Sequence, residues 1–173
     1  DEPVFMGQFD VSLDAEGREQ CTLVGLELEH FDIDTDKIYT SDLKRAVESS
    51  EIIASLLHSR PEIVTLPELR EMSLGAWDGR FIREIKEKYP EEYAARGADL
   101  LNYQIDDTAE NFVQLQERVM KKVNELISST QGDILIVAHS GVNRVIMCSL
   151  MEKPLDDLFR IEFGRGTYQI LEI

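Results

Sequence analysis

Apolar residues recur at helical spacing along several stretches of this chain and bunch into short runs between them. Residues 1–13 read as a loop punctuated by Pro3 and Gly7. Ser12 or Asp14 can cap a helix running to about His30, with Cys21, Val24 and Leu28 on its apolar face. Lys37 to Thr40 is a short strand, and Ser41 or Asp42 can cap a helix to about His58 whose inner face is Ala46, Ile53, Leu56 and Leu57. Ile63 to Leu66 is a second strand; Leu69 to Gly79 is irregular. Phe81 to Tyr89 is an amphipathic helix ended by Pro90, and Glu91 to Tyr103 is mixed. Thr108 caps a long helix to about Ser129, with Phe112, Leu115, Val119, Val123 and Leu126 inward. Asp133 to Ala138 is the best strand, an apolar run of the kind buried on both faces of a parallel sheet. Gly141 to Met151 is helix, Pro154 breaks it, and two closing strands follow near Leu158 to Phe163 and Thr167 to Ile173. Helices alternating with short strands predict an α/β domain with a mostly parallel sheet.

Length and composition fit one such domain. The chain has 173 residues, of which 43% are apolar and 30% charged, so wholesale disorder is excluded. No apolar run approaches the length of a membrane span. A net charge of −16 makes nucleic acid and anionic lipid poor partners, although a few local arginines can reverse the potential inside one pocket. Cys21 and Cys148 sit in apolar helical stretches that suit reduced buried thiols, and no signal or lipidation motif is present, so the expected location is the cytoplasm. Asp32, Asp34 and Asp36 resemble the start of a calcium loop, but Lys37 and Leu43 stand where Gly and Glu are required. The histidines and cysteines make no zinc pattern.

Three segments could carry chemistry. In Ile134-Leu135-Ile136-Val137-Ala138-His139-Ser140-Gly141, a strand ends at a histidine and a glycine turn enters a helix. That is where open α/β sheets place ligands, and free N–H groups at the helix start favour an anion. His139 there can donate to phosphate or take a proton, or it can merely end a strand. In Tyr39-Thr40-Ser41-Asp42-Leu43-Lys44-Arg45-Ala46, Arg45 lies in the first turn of a helix, against the dipole. A phosphate would resolve that tension, and so would solvent or an ion pair with Glu48. In Leu69 to Gly79, Glu71 lies in a Gly-rich apolar loop beside the only tryptophan, Trp77. Desolvation would raise its pKa and suit it to general acid work; an exposed loop glutamate is the bland alternative. His30 and His58 sit at helix ends, and Tyr89, Tyr93 and Tyr103 serve packing or a lid.

Taken together and in order, these segments resemble the histidine phosphatase superfamily, in its phosphoglycerate-mutase-like branch. Phe5 to Leu13 with Glu16-Gly17, Tyr39 to Ala46, Glu71 to Gly79, Ala109 to Phe112 with Arg118, and Val137 to Gly141 each resemble a family segment. The resemblance implies a three-layer αβα sandwich with a mostly parallel central sheet, formed by a single domain over residues 1–173. It implies a phosphatase for small-molecule phosphate monoesters, acting through a phosphohistidine without metal or other cofactor. Arg45 and His139 would bind the phosphoryl oxygens, Glu71 would protonate the leaving alcohol, and Met6, Gly7 and Ser140 would border the substrate. The family's Arg-His-Gly nucleophile motif matches no residue here; with its strand, it is expected ahead of Asp1.

The short, acidic and tyrosine-bearing stretch from Arg80 to Thr108 suits a phosphatase resembling α-ribazole phosphatases or broad phosphomonoesterases more than a mutase. Mutase-type phosphoryl transfer and a non-catalytic phosphate-ligand binder lacking the nucleophile are the alternatives. The expected partner is a small phosphorylated metabolite, with no nucleic acid and no membrane, and a homodimer is left open.

Overall fold

The computed structural model describes residues 2–31, 33 and 35–173. Asp32 and Asp34, and with them the acidic turn weighed as a calcium loop, lie outside the described residues. The helices are α1 (Ala15–Leu28), α2 (Lys44–Leu56), α3 (Ile82–Lys88), α4 (Pro90–Ala98), α5 (Phe112–Ser129) and α6 (Ser140–Leu150). The strands are β1 (Lys37–Thr40), β2 (Glu62–Thr65) and β3 (Leu135–Val137).

The three strands form a parallel sheet in the order β2-β1-β3, with Ile38 opposite Ile63 and Leu135, and Tyr39 opposite Val64 and Ile136. Successive side chains of a strand point to opposite faces. Accordingly Ile38, Ile63 and Leu135 join Val24, Leu28, Ile53 and Leu57 in one core under α1 and α2. Tyr39, Val64 and Ile136 join the larger core under α5 and α6. The result is the expected αβα sandwich. The α5 positions named from periodicity, Phe112, Leu115, Val119, Val123 and Leu126, are all buried. Each stabilises the fold by roughly 1.5–3 kcal/mol relative to an exposed position.

Several expected boundaries change. Asp14 does cap α1, accepting from Gly17 N at 2.7 Å. The residue before α2 is Leu43, with no side-chain cap, because Ser41 and Asp42 are engaged elsewhere. Asn111, not Thr108, caps α5, in a reciprocal box with Gln114; the Thr108 hydroxyl donates to Asp106 instead. Pro90 both ends α3 and opens α4, since a first helical turn tolerates its missing N–H. Residues 3–5 are not free loop but run beside residues 79–82, with Phe5 N donating to Arg80 O and Gly79 N to Phe5 O.

Among the described residues, the two closing strands do not form. Leu155–Arg160 is a 3-10 turn, and the carbonyls of Ile161 and Phe163 accept from the Arg144 guanidinium rather than from a neighbouring strand. Strand β3 is shorter than the expected 133–138; among the described residues it pairs on one side only, and its three residues are half-buried, with Leu135 and Ile136 packed into the cores on opposite faces.

Thr40 Oγ1 donates to Val137 O at 2.7 Å, tying β1 to β3 where both strands end. The residues that follow, Ser41 and His139, therefore emerge side by side at the carboxyl edge of the sheet.

Candidate active site

Ser41 Oγ and His139 Nε2 are 2.7 Å apart. Ser41 also accepts from Leu43 N at 3.3 Å, so its hydroxyl orients the imidazole while starting the α2 turn. His139 is the residue before α6 and is only 7% exposed. Burial, then the positive charges of Arg45 and Arg118, hold its pKa down to about 3, so it is neutral at physiological pH. An anion placed beside it would offset both cations and raise that value.

Glu71 reaches the same turn. Its Oε2 accepts from Gly141 N and its Oε1 from Met72 N, both at 2.9 Å. Burial pushes its pKa up, opposed by those two N–H groups and by Arg45 and Arg118. The carboxyl is thus biased toward holding a proton while remaining fixed in place. Gly141 has to be glycine for this: a Cβ there would overlap Glu71 Oε1.

Arg45 supplies the nearby charge from the first turn of α2. Its fork donates to Phe9 O at 2.9 Å and to Gly7 O at 2.7 Å, which leaves further donors of the guanidinium unused among the described residues. Glu48 pairs with Arg18, not with Arg45. Burial lowers the Arg45 pKa, and Glu71, Asp10 and Asp78 act to restore it.

The bonds from Arg45 fix the Met6-Gly7 turn beside it. Gly7 adopts φ +39°, and a Cβ there would fall on the Asp78 carboxylate. Asp78 accepts from Gln8 N at 3.2 Å and Leu74 N at 3.3 Å, and Gln8 Nε2 donates to Glu71 O at 3.0 Å. Ser140 opens α6 with its hydroxyl accepting from Arg144, which ties it to the C-terminal segment.

The structure therefore gathers Arg45, Glu71, His139 and Gly7 at one edge of the sheet, with Met6 alongside. It places His30 and His58 in the connections entering β1 and β2, at the opposite edge. His30 bonds to Leu26 O, and His58 pairs with Glu29. Ser41, Gln8 and Asp78 were missed as site residues. Ser41 had a legible signal, since it directly follows a strand as His139 nearly does, but its type invited a helix-cap reading. Gln8 and Asp78 act through backbone contacts that no spacing reveals.

A cavity of about 230 Å³ lies beside the acid loop, lined by residues that include Ala76, Trp77, Arg80 and Tyr89 but none of Arg45, Glu71 or His139. Among the described residues, no three His, Cys, Asp or Glu side chains are grouped to hold a metal ion, and no helix is long and apolar enough to cross a membrane.

Comparison with known proteins places this arrangement. The family described as histidine phosphatase superfamily (branch 1) matches residues 1–173. A metal-independent phosphoserine phosphatase of Arabidopsis thaliana is 30% identical over 141 residues, covering 81% of this chain and 58% of the relative. The phosphoglycerate mutase-like protein 4 of the same plant is 31% identical over 157 residues, covering 90% of this chain and 66% of the relative. This chain thus spans less than two thirds of either plant protein. The crystal structure of the alpha-ribazole phosphatase from Shigella flexneri superimposes with a TM-score of 0.81 at 26% identity, covering 94% of this chain and 79% of that one. The sheet edge that joins Arg45, Glu71 and His139 is therefore that of a member of branch 1 of the histidine phosphatase superfamily, to which this chain belongs.

Proposed function

We propose that this chain forms the larger part of a phosphomonoesterase for small phosphorylated metabolites, working through a phosphohistidine. One observation carries the reading. A neutral histidine, a carboxyl biased toward its protonated form and an arginine with unused donors meet at one sheet edge of a chain whose net charge is −16. A local reversal of potential of that kind suits a phosphoryl group.

In this reading the nucleophile is a histidine on a strand preceding Asp1, and that strand pairs with the open side of β3. Its imidazole nitrogen attacks phosphorus and the P–O bond to the alcohol breaks. Protonated Glu71 gives its proton to the departing alkoxide. Arg45 and His139 donate to the phosphoryl oxygens as charge spreads over them. Water then attacks the phosphohistidine, Glu71 takes its proton, the N–P bond breaks and inorganic phosphate leaves. Met6 and Gly7 border the substrate, and Ser140 does so through its backbone at the start of α6. The scheme needs no metal. The names of the plant and Shigella proteins support phosphatase chemistry on small substrates, and the buried free thiols Cys21 and Cys148 suit a reducing cytoplasm.

The test is steady-state turnover of a panel of phosphate monoesters by the native polypeptide, with Glu71→Gln beside it. Release of phosphate by the wild type and its loss in the variant are expected. Transfer of phosphate to an alcohol instead of water would favour a mutase. Binding of phosphate without turnover would favour a non-catalytic binder.

A further inference from the structure

Arg118 lies on α5, outside the group just described, and makes four hydrogen bonds around the acid loop. Its Nε and Nη2 grip the Glu110 carboxylate, each at 2.7 Å. Its Nη1 donates to Glu68 O at 2.7 Å and to Arg70 O at 3.1 Å. Glu110 completes the circuit: its Oε2 accepts from Ser73 N at 3.0 Å, and its backbone N donates to Ser73 O at 2.8 Å. The side chains of Arg118 and Glu110 are only 23% and 21% exposed, so water competes poorly for these bonds.

The consequence for Glu71 is geometric. Its chain is irregular from Arg70 to Leu74 and has no ladder of its own. The clasp pins the backbone at residues 68 and 70 on one side and at 73 on the other, leaving Glu71 and Met72 between fixed points. We propose that Glu110 and Arg118 are positioning residues for Glu71, setting where its carboxyl meets the leaving group. This rests on the reading of Glu71 as the proton donor.

A second set of bonds extends the same device. Asp106 accepts from Ala76 N at 2.7 Å, and the Ser73 hydroxyl donates to Thr108 O at 3.0 Å. Residues 106–110 thus run along residues 73–76, and the clasp joins the acid loop to the start of α5. The bidentate fork matters here because lysine offers a point charge without it. A misplacement of about 1 Å in a reacting group costs on the order of a hundredfold in rate.

The test uses leaving groups. Glycerol phosphate needs protonation of its alkoxide, whereas p-nitrophenolate departs readily without it. In the native polypeptide, Arg118→Lys and Glu110→Gln should lower kcat/KM for glycerol phosphate at least about tenfold and for p-nitrophenyl phosphate no more than about threefold. Glu71→Gln should show the same asymmetry more strongly. Hydrogen exchange on the same variants should speed up at Met72 and Ser73 and stay unchanged at Val145 to Cys148 of α6. Equal loss on both substrates, or uniformly faster exchange, would reduce the pair to a stability element and overturn the proposal. Loss of the fold in both variants would overturn it likewise. Absence of the asymmetry in Glu71→Gln itself would instead overturn the reading of Glu71.

Discussion

Gly141→Ala is the smallest change that separates the site from the scaffold. The added methyl overlaps Glu71 Oε1, lies 3.3 Å from its Cδ and 3.4 Å from Leu115 Cδ2. Leu115 is fully buried in the α5 core and has no room to retreat. The group that moves is therefore the Glu71 carboxyl, which loses the Gly141 N–H bond of 2.9 Å. Losing it leaves the partly buried Gly141 N–H unsatisfied, which costs about 1–3 kcal/mol. Alanine recovers about 0.5–1 kcal/mol in helix propensity and unfolded-chain entropy. The expected net destabilisation is about 1–2 kcal/mol. A carboxyl displaced by about 1 Å should cost on the order of a hundredfold in kcat/KM on a poor leaving group, equivalent to about 3 kcal/mol of barrier. Denaturant midpoints and turnover measured on one preparation give both quantities. Turnover within about threefold of wild type would refute the claim that glycine at this position exists to admit the Glu71 carboxyl.

Glu71→Gln and His139→Ala should each cut turnover of the native enzyme at least about a hundredfold, read from steady-state kinetics; near-normal rates would remove the roles assigned to them. His139 should also leave a mark on acid stability. Its folded pKa is lowered from 6.5 to about 3, so the unfolded chain binds the extra proton; the contribution is complete above pH 6.5 and is lost as pH falls toward 3. Between pH 6.5 and 4 the loss should reach about 3 kcal/mol, and chemical denaturation of His139→Gln over that range should show a flatter profile than wild type. Glu71 titrates in the opposite sense, its raised pKa favouring the fold as pH falls, so the comparison has to be made between variant and wild type at each pH. Asn111→Ala removes the α5 cap and should lower stability by about 1 kcal/mol, seen in the thermal midpoint, with p-nitrophenyl phosphate turnover nearly unchanged.

Periodicity was a good guide wherever one face of an element packs against the sheet. It located the inner face of α5 from Phe112 to Leu126 and the strand from Lys37 to Thr40. It failed where side chains with two uses were taken by the site. Ser41 has the chemistry of a helix cap but lies within reach of His139, and Asp42 binds Arg70 through both oxygens at 2.6 and 2.5 Å. Thr108 lost the α5 cap to Asn111 because Asp106 lies two residues before it and claims its hydroxyl. The apolar C-terminal segment reads as strand, yet residues 161–173 join no ladder among the described residues, and Arg144 takes two of their carbonyls. Of the site, Arg45, Glu71 and His139 were legible because each follows a strand or sits in a glycine-rich loop. Gly7 and Glu110 were reached only through the family resemblance, and Gln8 and Asp78 hold the loops through backbone bonds that leave no periodic trace.

The central claim is that this sheet edge handles a phosphoryl group carried on a histidine. It is tested most directly by mixing the native protein with phosphorus-labelled substrate, quenching within one turnover and mapping the labelled peptide. The account predicts an alkali-stable, acid-labile phosphohistidine on a segment preceding Asp1, formed at rates that fall in His139→Ala. Label on His139 or another residue of 1–173, or turnover with no covalent phosphorus at all, would contradict it.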